Sequence, residues 1–282
     1  MAGVEPALLR AGSWNEVTPE LAGWRWLSFE LKRMPAGAAA RLGAPDRETA
    51  GVLLSGSAAV AAGPHRWKLA RRSVFDGPPW AVYVPAGEAA EIEARTQVEL
   101  AIVGSRSDRV GEARLVTPDE IRVEIRGAGS ATRQINHVLP PESPADRLLV
   151  VEVLTPSGNW SSYPPHKHDE NRPPNEVELE EFYYFRVRPR TGFGFLRVYS
   201  PRHSFDLTAA VRDGDVVLVP YGYHVCGAPH GIDVYYLNGL AGDVRSMAAS
   251  DDPDFAYIRD TWEDMETDRR LPIRPSDYGG ER

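Results

Sequence analysis

The sequence predicts an all-β protein built as two antiparallel barrels in tandem, and three observations carry that expectation. Short runs rich in Val, Tyr, Phe and Leu recur along the chain, bounded by turn residues, which is the composition of strands in a sandwich or barrel. The 24 prolines and 25 glycines are spread evenly and punctuate those runs. Long helical periodicity is scarce, and the two halves of the chain repeat one local pattern.

In chain order, the first half offers WRWLSFELKRM (24–34), AGVLLSG (50–56), AVYVPAG (81–87) and VELAIVG (98–104) as strands. The second offers LLVVEVL (148–154), FYYFRV (182–187), FGFLRVYS (193–200), DVVLVP (215–220) and DVYYLNG (233–239). A helix is expected only in DFAYIRDTWEDM (254–265), where Phe255, Ile258 and Trp262 recur at helical spacing. The repeat is Asp76-Gly77, an apolar run and Pro85-Ala86-Gly87, matched by Asp213-Gly214, an apolar run and Pro220-Tyr221-Gly222. Each half then reads as a turn, a strand and a second tight turn at a barrel mouth. The Gly/Ser/Pro-rich stretch 127–144 is the expected junction, giving domains 1–135 and 136–282.

Bulk composition narrows the function. Hydrophobic residues make up 42% and charged residues 26% of 282 residues, the balance of a soluble globular protein. No apolar run approaches the ~20 residues that span a bilayer, and the first residues lack the pattern of a signal peptide. A single cysteine, Cys226, precludes an internal disulfide and fits a reducing cytoplasm. The net charge of −8 comes with no concentrated basic patch, so neither nucleic acid nor membrane is an expected partner. A small anionic substrate is compatible with that charge, because one or two local arginines suffice to bind a carboxylate.

The chemistry concentrates in the second half. In PPHKHDE, His166 and His168 are two residues apart, so on a strand both imidazoles face the same way. Glu180-Glu181 opens the aromatic strand FYYF, and the strand ending in Pro220-Tyr221-Gly222 delivers His224. Three neutral imidazoles and one carboxylate suit Zn²⁺, Mn²⁺, Fe²⁺ or Ni²⁺ rather than Ca²⁺ or Mg²⁺.

These residues resemble the two signature motifs of the cupins, small β-barrels with a metal on the barrel axis. GNWSSYPPHKHDE (158–170), LEEFYYF, GFGFLRVYS, DGDVVLVPYGYH and IDVYYLNGLAG are more closely similar to the 5-deoxy-glucuronate isomerases of myo-inositol breakdown. Those are bicupins related to the 4-deoxy-5-threo-hexosulose-uronate isomerases of pectin breakdown. The resemblance runs from about Thr132 to Asp254 and continues more loosely through RETAGVLLSG and RRSVFDGPPWAVYVPAG. It implies a bicupin fold, aldose–ketose isomerisation of a sugar acid, and a divalent metal, zinc first, on His166, His168, His224 and either Glu181 or Glu180. Glu181 is preferred because the ligand in most cupins immediately precedes the aromatic strand; Glu180 would turn Phe182, Tyr184 and Arg186 toward the metal instead. The long polar segment between His168 and these glutamates departs from the common cupin spacing and reads as a loop insertion.

The first half has Glu48 in roughly the glutamate position, but no HxH, and Ala89 where the second half has His224; no metal is expected there. Tyr184, Arg197 and Arg245 are candidates for contacting substrate, the arginines through its carboxylate. His65, His137, His203 and His230 are expected to be structural or superficial, and Cys226 a small buried apolar residue. The base stays open among the glutamate not used as a ligand, a cavity tyrosine and a hydroxide on the metal, as does a hydride shift in place of proton transfer. A cupin dioxygenase and a non-enzymatic sugar-binding bicupin are the alternative readings, and a homo-oligomer stays open.

Overall fold

The structure, a computed structural model, describes residues 5–273. The strands pair antiparallel in both halves of the chain. No helix among the described residues is long and apolar enough to cross a membrane.

In the first half one strand, Arg47–Ala62, runs the length of the barrel. Its first part pairs with Ala81–Val84 and Val98–Arg106, and its second with His65–Arg71 and Ala90–Ala94. The change of partner falls at Gly56, whose φ is +95° and where a Cβ would lie 2.2 Å from the Gln97 carbonyl oxygen. Only glycine turns that corner. Met34, Leu42, Leu53, Val60, Val84, Ile92 and Leu100 close the interior.

The second half has two facing sheets. The larger has seven strands in the order Ala7–Leu9, Val216–Val219, Glu180–Arg188, Asp233–Ala241, Leu149–Thr155, Arg133–Leu139 and Arg122–Arg126. The smaller has Phe205–Val211, Gly194–Ser200, Tyr223–Gly227, Trp160–Lys167 and Ser250–Asp251. Strand alternation gives the larger sheet two distinct faces. Val151, Val153, Tyr183, Phe185, Val217 and Tyr236 point into the second barrel. Val150, Leu154, Phe182, Tyr184, Tyr235 and Leu237 point the other way, into a core shared with Phe29, Val52, Ala101 and Val103 of the first barrel.

Polar groups also join the barrels. Arg71 makes a bidentate pair with Glu152 at 2.7 and 2.9 Å, and the Tyr235 hydroxyl donates to the same carboxylate at 2.7 Å. All three are buried, so the pair is desolvated and depends on these mutual contacts. Two glutamates reach across reciprocally. Glu48 accepts the backbone N–H groups of Asp146, Arg147 and Leu148, each at 2.8 Å, where the chain enters the second barrel's strand Leu149–Thr155. Glu180 accepts those of Arg25, Trp26 and Leu27 at 2.5–3.0 Å, where the chain enters a strand of the first.

Three expectations change. The boundary at 135/136 cuts the strand Arg133–Leu139, and the second barrel's sheet already includes Arg122–Arg126 and the remote Ala7–Leu9. The stretch 127–144 is therefore no simple linker. The segment expected to form an α-helix is a 3₁₀ helix over Ala256–Asp264 with no buried residue.

Candidate metal centre

The larger sheet of the second barrel forms the floor of a cavity of about 510 Å³, and the strand Trp160–Lys167 with the segment after it closes over it. Period-2 alternation decides which side chains enter. From Arg133–Leu139 these are Arg133, Ile135 and His137; from Glu180–Arg188, Glu181 and Tyr183; from Asp233–Ala241, Tyr236, Asn238 and Leu240.

At one end, ligand atoms of His168, Glu181 and His224 all lie within 4.8 Å of one another, and all three residues are buried. Each imidazole is oriented by its far nitrogen. His168 Nδ1 donates to the Leu179 carbonyl at 3.1 Å, and His224 Nδ1 to the Gly222 carbonyl at 3.0 Å. Both Nε2 atoms then face Glu181 Oε2, at 2.9 and 3.3 Å. Holding the tautomer through the remote nitrogen is how metal-binding histidines are ordinarily presented. The turn that delivers His224 needs Gly222, whose φ is +96° and where a Cβ would lie 2.8 Å from the Tyr199 carbonyl oxygen; its N–H is held by Asp169 at 2.9 Å.

The donor chemistry fits a divalent cation. His224 Nε2 is buried without a hydrogen-bond partner, a costly state for a lone pair that a cation would relieve. Burial and the adjacent His166 ring push His224 down to about 3, so its imidazole is neutral at physiological pH. Burial works against charge on His168 as well, but the Glu181 carboxylate raises it above the ordinary histidine value. His166 lines the cavity, pairs in register with His224 and sets its ring 4.5 Å from it, yet stands outside the group of mutually close donors. Burial, with His168 and Arg133 nearby, brings it down to about 3.

The choice between the two glutamates has a geometric answer. Glu181 faces the imidazoles, whereas Glu180 points to the first barrel beneath its three N–H groups. The glutamate not beside the histidines is thus outside the cavity and no candidate base. Tyr184 shares the Glu180 face and packs against Trp14 and Phe29, on the far side of the sheet from the cavity. Arg197 is ion-paired with Asp206 at 2.6 Å on the surface. Arg245 donates to the carbonyls of Pro140, Pro141, Ser143 and Leu148, pinning the inter-barrel segment. None of these three lines the cavity. Cys226 is buried in the second barrel, and burial pushes its thiol up to about 12.

Other cavity residues had no expected role. The Ser162 hydroxyl links those of Tyr183 and Tyr236 at 3.1 and 3.2 Å. His137, expected to be structural, meets Glu124 through Nε2 at 2.8 Å, and its Nδ1 is buried without a partner. Burial opposes the charge on Glu124, but hydrogen bonds from Arg126 and His137 hold it down to about 2. Arg133 is buried beside them. RQINHVL (133–139) carried no period-2 signal, because polar residues fall on both of its faces.

Two curled antiparallel barrels in tandem, the second with a His/Glu cluster at its mouth, define a bicupin. Oxalate decarboxylase from Lactobacillus farciminis shares this fold, with a TM-score of 0.61 at 14% identity over 89% of this chain and 91% of that one. The chain belongs to the KduI/IolB family, whose model matches residues 5–258. It is 46% identical over 253 residues to the 5-deoxy-glucuronate isomerase of Geobacillus kaustophilus, covering 89% of this chain and 92% of the relative. The 5-deoxy-glucuronate isomerase of Bacillus subtilis is 43% identical over 190 residues, 67% of this chain and 70% of its own. An IolB-like protein from Salmonella typhimurium superposes with a TM-score of 0.86 at 37% identity, over 89% of this chain and 98% of that one.

Proposed function

We propose that this chain is a metal-dependent aldose–ketose isomerase that converts 5-deoxy-glucuronate to 5-dehydro-2-deoxy-gluconate in cytoplasmic myo-inositol breakdown. The observation that carries the reading is the convergence of His168, Glu181 and His224 in one buried cluster, two of them lining the cavity, in a chain so similar to proteins named for that reaction. His166, His168, Glu181 and His224 would hold the ion, zinc in this reading, with manganese, iron or nickel as other fits to the donors. When bound, such an ion supplies Lewis acidity toward a carbonyl and its neighbouring hydroxyl, worth several kcal/mol.

The remaining work falls to the chain's own groups. Burial raises the Tyr183 and Tyr236 hydroxyls above their ordinary range, so they stay protonated and serve as hydrogen-bond donors to sugar oxygens. They are unsuited to be the base. Burial lowers His137, which is then neutral at physiological pH and donates its Nε2–H to Glu124. Its Nδ1 lone pair is left to take the proton from C2 and return it at C1, while the proton of the C2 hydroxyl passes to the C1 oxygen, a role worth ~10²–10⁴-fold. The test is elemental analysis of the purified protein with an assay on 5-deoxy-glucuronate, for the wild type, His166→Ala and His224→Ala. Activity surviving both substitutions would reject the metal site. Turnover in D₂O separates the routes: solvent deuterium in the product supports transfer through an enediol, and its absence supports a hydride shift.

A further inference from the structure

The cavity contains one buried guanidinium with no carboxylate partner among the described residues. Four arginines line it: Arg122, Arg126, Arg133 and Arg259. Arg122 and Arg126 both pair with Glu124, at 3.6 and 2.7 Å, and Arg259 pairs with Asp251. Arg133 is 4% exposed, the most buried of the four, and among the described residues has no carboxylate partner. Its Nη1 donates to the Ala131 carbonyl at 3.0 Å, and its Cζ lies 5.7 Å from the Trp262 ring. A buried charge is ordinarily paired, because desolvation without compensation is expensive. Burial, with Arg126 and Arg259 nearby, outweighs the opposing influence of Tyr236 and Glu124 and brings Arg133 down to about 10. It still carries its proton at physiological pH, so the fold keeps a desolvated cation facing a cavity whose other arginines each have a carboxylate partner, shared in the case of Arg122 and Arg126.

We propose that Arg133 is the anchor for the substrate's carboxylate, the group that orients the sugar acid with its reacting carbon atoms toward His168, Glu181 and His224. This rests on the reading of the cavity as a sugar-acid site and deepens it by assigning the two ends of the substrate. The planar guanidinium fits a carboxylate through paired N–H donors. A singly charged anion balances Arg133, while a more highly charged one would also face the nearby Glu124 carboxylate. A buried donor built for an anion also rejects the neutral analogue, because without its partner the guanidinium stays desolvated and unpaired. Arg133 is thus a specificity-determining residue that separates uronic acids from neutral sugars.

The experiment compares an acid with an uncharged isostere. Initial rates on 5-deoxy-glucuronate and its C6 amide, and calorimetric binding of D-glucuronate and D-glucuronamide, are measured on the protein as purified. The wild type is expected to prefer each acid by about 30-fold or more, the range for truncating one partner of a buried charged pair. In Arg133→Met that preference falls to within about threefold, chiefly through the acid's KM, and Arg133→Lys recovers part of it. Equal affinity of the wild type for acid and amide overturns the proposal without recourse to any variant, should Arg133→Met fail to fold. So does an Arg133→Met protein that weakens acid and amide alike. Acid-selective binding that depends on Arg133, with no turnover of 5-deoxy-glucuronate, would uphold the anchor while refuting the isomerase reading.

Discussion

The two barrels answer the same backbone plan with different side chains. In the first, Thr49 sits opposite Val84, which leads into Pro85-Ala86-Gly87; in the second, Glu181 sits opposite Val219, which leads into Pro220-Tyr221-Gly222. Thr49 therefore occupies the Glu181 position, and Ala89 the His224 position. Glu48, read from sequence as the counterpart of the ligand, instead matches Glu180, and both spend their carboxylates on backbone N–H groups of the other barrel. The adjacent glutamates thus separate two tasks by strand parity alone. One residue holds the barrels together, and its neighbour faces the cavity.

That comparison can be broken at several points. The largest effect is expected at the histidine position: His224→Ala should lower kcat by ~10³-fold or more, the loss of several kcal/mol of electrostatic stabilisation. Thr49→Ala, at the metal-less barrel's counterpart of Glu181, should leave kcat and metal content unchanged. An intact rate in His224→Ala, or a metal loss in Thr49→Ala, would erase the asymmetry.

Next comes the joint between the barrels. Arg71→Met leaves Glu152 buried without its cation and should cost about 3–5 kcal/mol in urea unfolding. A single transition is expected, because the shared core couples both barrels; two separated transitions would show that each stands alone. Glu48→Gln and Glu180→Gln should each cost about 1–3 kcal/mol, as charge-assisted bonds weaken to neutral ones. Glu180→Gln keeps the metal, and Glu181→Gln loses it. If the two glutamine variants exchanged phenotypes, the assignment by strand parity would be wrong.

The smallest effect lies in the loop peculiar to the second barrel's ligand arrangement. Burial disfavours the Glu176 charge, but hydrogen bonds from Lys167, Ser250 and Arg172 hold it down to about 2. Its pKa in the fold is below the ordinary carboxylate value of about 4.3. Its contribution is therefore complete above that value and is lost as pH falls toward 2. Thermal melts from pH 6 to pH 3 should show a steeper fall in Tm for the wild type than for Glu176→Gln. Parallel curves would mean that Glu176 does not carry this dependence.

Much of the fold was legible because apolar runs between turns report strands directly, and the doubled turn–strand–turn pattern does mark two related barrels. His168 and His224 were legible because histidines are scarce in this chain and their spacing carries a reason. Arg133, Glu124 and His137 were not. Their strands form the floor of a polar cavity on one face, and on the other Asn136 bonds Glu152, at 3.1 Å. With polar side chains on both sides, such a strand has the composition of a loop although every residue of Arg133–Leu139 is buried. Tyr184, Arg197 and Arg245 failed for a related reason: sequence shows that a side chain can bind a sugar, but its partners decide whether it is already committed.

The edge strand Ala7–Leu9 has a consequence for biogenesis. It pairs with Val216–Val219 across some two hundred residues, so this segment leaves the ribosome long before its partner. Until then the exposed edge is open to pairing with other chains, a hazard for any unpaired strand. A chain halted before Val216 would hold the strands of the first barrel with Ala7–Leu9 still unpaired, and the larger sheet of the second barrel is complete only once that strand is captured.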